Sequence, residues 1–253
     1  MCAILLNMIK KTKEHIGELI YGIHPLIEVL KAKRRKVISV YTTKPEPKAW
    51  KNVQDFWPKY HVPIQYVSRD VLARMAGGTT DHQGVVAWVQ EYHYRKQFFD
   101  AKKQPFLVML DGIKDTRNVG AILRSAHCTG VTGVIMVKRD AAPLNASAMK
   151  ASAGLAEHLE IYQAPSPQAA IIELKKAGYT TYLATLNGKS ATEVTYKEPL
   201  CIVIGSEGFG VSREIMNDGI AITLPQKNDD ISYNASVAAG ILLFLVGSKL
   251  SKI

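Results

Sequence analysis

The run Phe106-Leu-Val-Met-Leu110 is apolar at every position, with no polar residue left to face water on either side. A strand of that kind is buried on both faces, which is the condition of an interior strand in a parallel sheet. The chain beyond it alternates between helical and extended patterns. Helices are expected at 119–129, 146–153, 167–177, 211–216 and 235–245, and strands at 133–137, 180–184, 201–204 and 221–224. That alternation predicts an α/β unit with a mostly parallel sheet and helices on both faces.

A smaller α/β unit of roughly 70 residues precedes it. Its pattern reads as helix 25–30, strand 37–42, helix 49–60, strand 64–67, helix 70–75 and strand 84–89. Between the two units, residues 91–104 carry Tyr92, His93, Tyr94, Arg95, Lys96, Lys102 and Lys103 without a sustained apolar period, the signature of a basic linker. The expected division is therefore 1–90, with 1–18 a flexible extension, then 91–104 as linker and 105–253 as the larger domain.

Composition narrows the partners. Lys and Arg number 32 against 22 Asp and Glu, a formal charge of +10 that favours an anionic ligand, nucleic acid first. Cys2, Cys128 and Cys201 are too few and too scattered for a disulfide framework or a zinc pair. The opening Met1–Ile9 is apolar, but its lysines follow rather than precede it, the reverse of a secretory signal. The apolar run 235–246 is too short to cross a bilayer. A cytoplasmic protein with no membrane or metal partner is the expectation.

Three segments of the larger unit carry chemistry. In Asn118-Val-Gly-Ala-Ile-Leu-Arg124-Ser-Ala126, Asn118 suits a helix N-cap and Arg124 offers a fixed cation that can fork onto phosphate. Ile204-Gly-Ser-Glu207-Gly-Phe-Gly210 follows a strand with a G-x-x-G-x-G turn, which is neither the dinucleotide fingerprint nor a Walker loop nor a nucleophile elbow. Glu207 there is either a carboxylate favoured at a helix entry or part of a site. In Ser232-Tyr-Asn234-Ala-Ser236, the polar residues either cap the last helix or line a pocket at the strands' C-terminal ends. In the smaller unit, Lys33, Arg34 and Arg35 lie in a basic run that is either solvated surface or an RNA contact. The polar loop Thr79–Gly84, with His82 and Gln83, could meet base edges or ribose hydroxyls.

In order and spacing these three segments resemble the signature motifs of the SpoU (TrmH-type) branch of the SPOUT RNA 2′-O-ribose methyltransferases. Tyr21-Gly-Ile-His-Pro-Leu-Ile-Glu-Val-Leu30 and His82-Gln-Gly-Val-Val86 resemble the N-terminal, L30e-like RNA-binding module of the enzymes that modify a guanosine in large-subunit rRNA. The resemblance implies a deep trefoil knot in the larger domain and a homodimer. It also implies S-adenosylmethionine held near Thr185, Leu186, Gly205, Leu224 and Tyr233. The implied reaction is in-line attack of a ribose 2′-oxygen on the cofactor's methyl group. Arg124 would then orient the target phosphate, Asn118 and Glu207 would orient Arg124 or the ribose, and Ser232 and Asn234 would complete the pocket. One departure stands out: residues 226–231 lack the usual glycine and Tyr233 replaces a leucine. A tRNA ribose methyltransferase and a weakly catalytic RNA-binding or ribosome-assembly protein are the competing readings.

Overall fold

The computed structural model describes residues 17–227 and 232–253. The apolar opening, nearly all of the 1–18 extension and most of the 226–231 loop lie outside the described residues. The chain divides into two compact units, 1–93 and 94–253.

The first unit runs β1 (Glu18–Tyr21), α1 (Ile23–Ala32), β2 (Val37–Thr42), α2 (Trp50–Gln54), β3 (Ile64–Tyr66), α3 (Arg69–Met75) and β4 (Val85–Val89). The sheet order is β1-β4-β2-β3, with β4 antiparallel to both neighbours and β3 parallel to β2 at the outer edge. Helix α1 tolerates Pro25 because its first turn has no intrahelical N–H bond to lose. It buries Ile23, Leu26, Ile27, Val29 and Leu30, and ends where Lys33 adopts a left-handed conformation and donates its N–H to Val29. The helix expected over 49–60 is only five residues long. Pro58 disfavours helical backbone at Trp57, which limits its extension.

The second unit runs β5 (Phe106–Asp111), α4 (Thr116–Cys128), β6 (Gly133–Val137), α5 (Ala146–Ala151), β7 (Ile161–Ala164), α6 (Pro167–Lys176), β8 (Thr180–Ser190), β9 (Leu200–Gly205), β10 (Ile220–Thr223) and α7 (Ala235–Lys249). Its six strands are all parallel, in the order β10-β8-β9-β5-β6-β7. Every residue of β5 is buried, as an interior strand requires. Alternate residues serve opposite faces. Leu107, Met109, Cys201, Val203, Ile135 and Val137 form one core with Ala170, Ile171 and Leu174 of α6, while α4 packs against α5 and α7.

Further elements differ from expectation. The 211–216 segment is a short 3-10 turn, Arg213–Ile215, rather than an α-helix. The 91–104 segment is not a free tether from Tyr94 onward. Arg95 hydrogen-bonds to Ile161 beside β7 and pairs with Glu160, and Phe99 is buried against Gly133, where any side chain would strike its ring.

Glycine at 120 lets α4 and α5 approach. A Cβ there would stand 2.3 Å from the Ala148 carbonyl oxygen and 2.5 Å from the Ala151 Cβ, whereas a Cβ at Gly240 meets only the Ser125 hydroxyl at 3.4 Å. Gly120→Ala is therefore expected to destabilise by about 1–3 kcal/mol through overpacking, although alanine is the better helix former. Gly240→Ala should be neutral or stabilising. Thermal or urea unfolding of both variants checks the contrast, and equal behaviour would contradict it.

Candidate functional site

The site is built where strands end. Between Leu183 and Lys189, β8 leaves its pairing with β10: Ala221 faces Leu183, but Ile222 faces Lys189. The excursion is pinned by Thr185 Oγ1 donating to the Asn187 carbonyl at 2.9 Å and by Thr223 Oγ1 donating to the Leu186 carbonyl at 3.0 Å. Gly188 closes it, with Ala221 backbone only 2.6 Å from where a Cβ would lie.

Strand β9 feeds the second wall. Ser206 and Gly210 exchange two backbone hydrogen bonds of 2.9 Å, folding the Glu207–Phe209 tip back on the strand. A Cβ on Gly205 would sit 2.0 Å from the Gly210 carbonyl carbon, so only glycine can precede this turn. Asp111, at the end of β5, accepts hydrogen bonds from the Ser212 amide (2.7 Å) and hydroxyl (2.8 Å) and anchors the exit of the turn. Burial pushes the Asp111 carboxyl above its usual range despite those two bonds.

Together with the start of α7, these walls enclose a cleft of about 430 Å³. All five residues expected at a cofactor, Thr185, Leu186, Gly205, Leu224 and Tyr233, line it, as do Glu207 and Ser232. Glu207 also ties the turn to α4: its carboxylate accepts from Asn118 Nδ2 at 2.8 Å and from the amides of Lys114 (3.3 Å) and Asp115 (3.4 Å). Partial burial acts to raise its pKa, but the bonds from Asn118 and the backbone amides prevail and hold the carboxyl below the ordinary glutamate value.

Several expectations are corrected here. Asn118 is not the cap of α4; Asp115 is, accepting from the Arg117 amide at 2.7 Å, and the Asn118 side chain is engaged with Glu207. Within one chain neither Asn118 nor Glu207 bonds to Arg124, which is exposed on α4 and makes no hydrogen bond or ion pair among the described residues. Arg124 is also not among the residues lining the cleft. Asn234 caps α7, its side chain accepting from the Ser236 and Val237 amides.

In the first unit, Arg35 does not face a ligand. Its side chain is 1% exposed, paired with Glu18 at 2.6 Å and bonded to the Gln90 carbonyl. His82 is likewise buried, its Nδ1 accepting from the Gly84 amide at 3.0 Å. Gln83 is exposed, though its side chain accepts from the Ile23 amide; Lys33 is exposed and Arg34 half-buried.

Sequence reasoning missed a second cavity of about 270 Å³ behind the same turn, lined by Asp111, Lys114, Arg139 and Arg213 among others. It also passed over Phe209, 88% exposed at the tip between the two cavities. No single motif holds these residues, which meet only through the turn.

The comparisons with known proteins agree with this layout. Residues 105–244 match the SpoU rRNA Methylase family, and residues 19–95 match the domain described as RNA 2′-O ribose methyltransferase substrate binding. The chain is 33% identical over 239 residues to YacO of Bacillus subtilis (strain 168), assigned to the TrmH family of tRNA/rRNA methyltransferases, covering 91% of this chain and 95% of that protein. Among solved structures, an RNA 2′-O ribose methyltransferase superposes with a TM-score of 0.82 at 18% identity, covering 96% of this chain and 92% of the other. The SpoU methyltransferase AviRb from Streptomyces viridochromogenes, solved with its cofactor AdoMet, gives 0.78 at 18% identity, with 96% and 93% covered. The last two likenesses establish the fold.

Because the Glu207 pKa is lowered in the folded state, its contribution to stability is complete above the unfolded value of about 4.3 and is lost as pH falls through the lower folded value. A carboxyl-detected NMR titration should place Glu207 below that reference, and Asn118→Ala should move it upward. An unmoved titration in the variant would remove Asn118 as the cause.

Proposed function

The chain belongs to the SpoU rRNA methylase family and is an RNA ribose 2′-O-methyltransferase that draws its methyl group from S-adenosylmethionine; we propose that its target is a guanosine in large-subunit ribosomal RNA. The observation that carries the reading is the pairing of the two matched regions in one chain. The N-terminal unit has the sequence of a substrate-binding module, beside a domain whose family is described by ribosomal RNA.

The cleft suits the cofactor. Its volume falls in the range of about 300–1,000 Å³ that encloses small molecules. Gly205 exposes bare backbone, Leu186, Leu224 and Tyr233 supply apolar cover for a purine, and Thr185 and Ser232 add polar groups. Bound there, S-adenosylmethionine supplies an electrophilic methyl group. Glu207, with its carboxylate held ionised and occupied by three donors, is a weak base and acts as a positioning residue, locking the cleft's wall to α4. Arg124 binds and orients the phosphate next to the reactive ribose, the role a permanently charged fork of donors performs best. The deep knot is carried by the resemblance and by the likeness in fold to solved SpoU structures.

A homodimer completes the site in this reading. Helix α7 buries Ala239, Leu242, Leu243 and Val246, yet exposes Val237, Ile241 and Phe244 at i, i+4 and i+7, so it is apolar on both sides. A helix of that kind is covered on both sides in a finished assembly. A second copy seated on the stripe also offers Arg124, which makes no hydrogen bond or ion pair among the described residues of its own chain, a cleft to enter.

Incubation with methyl-labelled S-adenosylmethionine and unmodified large-subunit rRNA or tRNA, followed by digestion to nucleosides, is expected to return 2′-O-methylguanosine from rRNA. Label in tRNA alone would overturn the substrate assignment. Arg124→Ala should reduce turnover by about 100-fold or more with RNA affinity nearly unchanged. Co-purified mixed dimers of Arg124→Ala with the cleft variant Leu186→Glu should recover activity that neither homodimer has; no recovery would mean that each chain uses its own arginine.

A further inference from the structure

The outer edge of the N-terminal sheet carries a pattern that neither the fold nor the cleft requires. Strand β3 ends the sheet, and Ile64, Gln65 and Tyr66 are all exposed along it. The same unit exposes Phe56, Tyr60 and Tyr66, at 42%, 40% and 48%. Each has a lysine ammonium over its ring: Lys31 at 5.1 Å from Phe56, Lys36 at 5.8 Å from Tyr60 and Lys44 at 5.4 Å from Tyr66.

Two of the pairs mark the ends of β2. The Tyr60 hydroxyl accepts from the Val37 amide at one end, and Tyr66 pairs in register with Thr42 at the other. Five residue steps separate those ends, about 17 Å at the rise of an extended strand. Lysines 48, 51 and 59 are also exposed. Lys31 also pairs with Glu28, and the Tyr66 hydroxyl donates to Glu46 at 2.8 Å, which fixes that ring's edge.

We propose that this edge is a stacking platform for an unpaired stretch of the RNA substrate, a surface distinct from the Lys33–Arg35 run and the His82 loop. Half-exposed rings each companioned by a cation are what a single strand needs: every base has a face to stack, and every nucleotide a phosphate for a lysine. In the free protein the ammonium covers the ring by a cation–π contact. When a base takes that face, the lysine moves to the adjoining phosphate. A duplex hides its base faces and leaves the rings without a function, and an apolar protein partner leaves the lysines unpaired. The proposal rests on the reading of this chain as an RNA-modifying enzyme and specifies which RNA its N-terminal unit grips.

The test is fluorescence anisotropy of the full chain with a labelled uridine decamer, alone and annealed to its adenosine complement, across a salt series. The single strand should bind more tightly than the duplex. The double variant Phe56→Ser/Tyr66→Ser should weaken single-strand binding by about tenfold or more. Lys31→Gln/Lys36→Gln/Lys44→Gln should flatten the log–log salt slope by about 2. Tyr66→Phe, which keeps the ring and loses the Glu46 bond, should bind as the parent does. In methyl transfer the aromatic variants should raise KM for RNA with kcat unchanged. Equal binding by the aromatic double variant, preference for the duplex, or a loss in Tyr66→Phe as large as in Tyr66→Ser would each overturn the platform. Decamer binding is read without methylation, so an absence of methyl transfer to any RNA would count against the functional assignment and leave this measurement standing.

Discussion

The closure of the turn between Gly205 and Gly210 is the constraint on which the site depends. The chain leaves β9, reverses within four residues and returns so near its own backbone that no side chain fits at Gly205. Two reciprocal hydrogen bonds between Ser206 and Gly210 hold the reversal, and Asp111 grips its exit through Ser212. The reversal leaves Glu207 at the start of α4, where the amides of the helix entry and Asn118 receive it. A looser turn would leave the carboxylate in water and the two cavities merged. The tightness of one backbone crossing is thus converted into the placement of a charged group belonging to another element.

Two carboxylates serve this arrangement in opposite electrostatic states. Asp111 is buried, and its raised pKa means that ionisation works against folding: its favourable contribution is full below the unfolded value and fades as pH rises through the folded one. Glu207 is more exposed and has three good donors, so it contributes in the opposite sense, above its unfolded value. Near neutrality the fold carries the penalty at Asp111 in return for a fixed loop exit. Strain of this kind next to a cleft is expected where geometry matters more than stability.

Much of this was legible because burial imposes a pattern on residues that are near one another in sequence. The apolar runs located β6 to the residue and β5 to within one, since a strand covered on both faces has no freedom in its composition. β7 was missed because Ile161-Tyr-Gln-Ala164 is half-buried and short, with no run to read. The residues lining the cleft were legible as sets, each set following a strand, but their mutual contacts were not. Asn118 looked like a cap because it stands near a helix entry; only the arrival of Glu207, 89 positions later, shows what its amide does. Arg35 and Lys33 are neighbours of the same charge, yet one lies beneath Glu18 and Gln90 and the other in solvent. A charge run gives no signal of which members the sheet will cover.

Helix α7 joins assembly to chemistry by the same logic. Its inner face supplies Ala235, Ala238 and Leu242 to the wall of the cleft, and its outer face carries Val237, Ile241 and Phe244. A helix in which both faces are apolar has no polar side to fix its rotation about its own axis; that rotation is set by whatever packs on each face. Asn234 pins its first turn, and Gly247, with the Thr129 carbonyl 2.6 Å from where a Cβ would lie, pins its last against the end of α4. The middle turns are packed on the inner side and carry the exposed stripe on the outer. In the proposed dimer, covering the outer stripe therefore steadies the cleft wall directly, and a separated protomer would keep the residues of the cleft while losing part of what holds them in place.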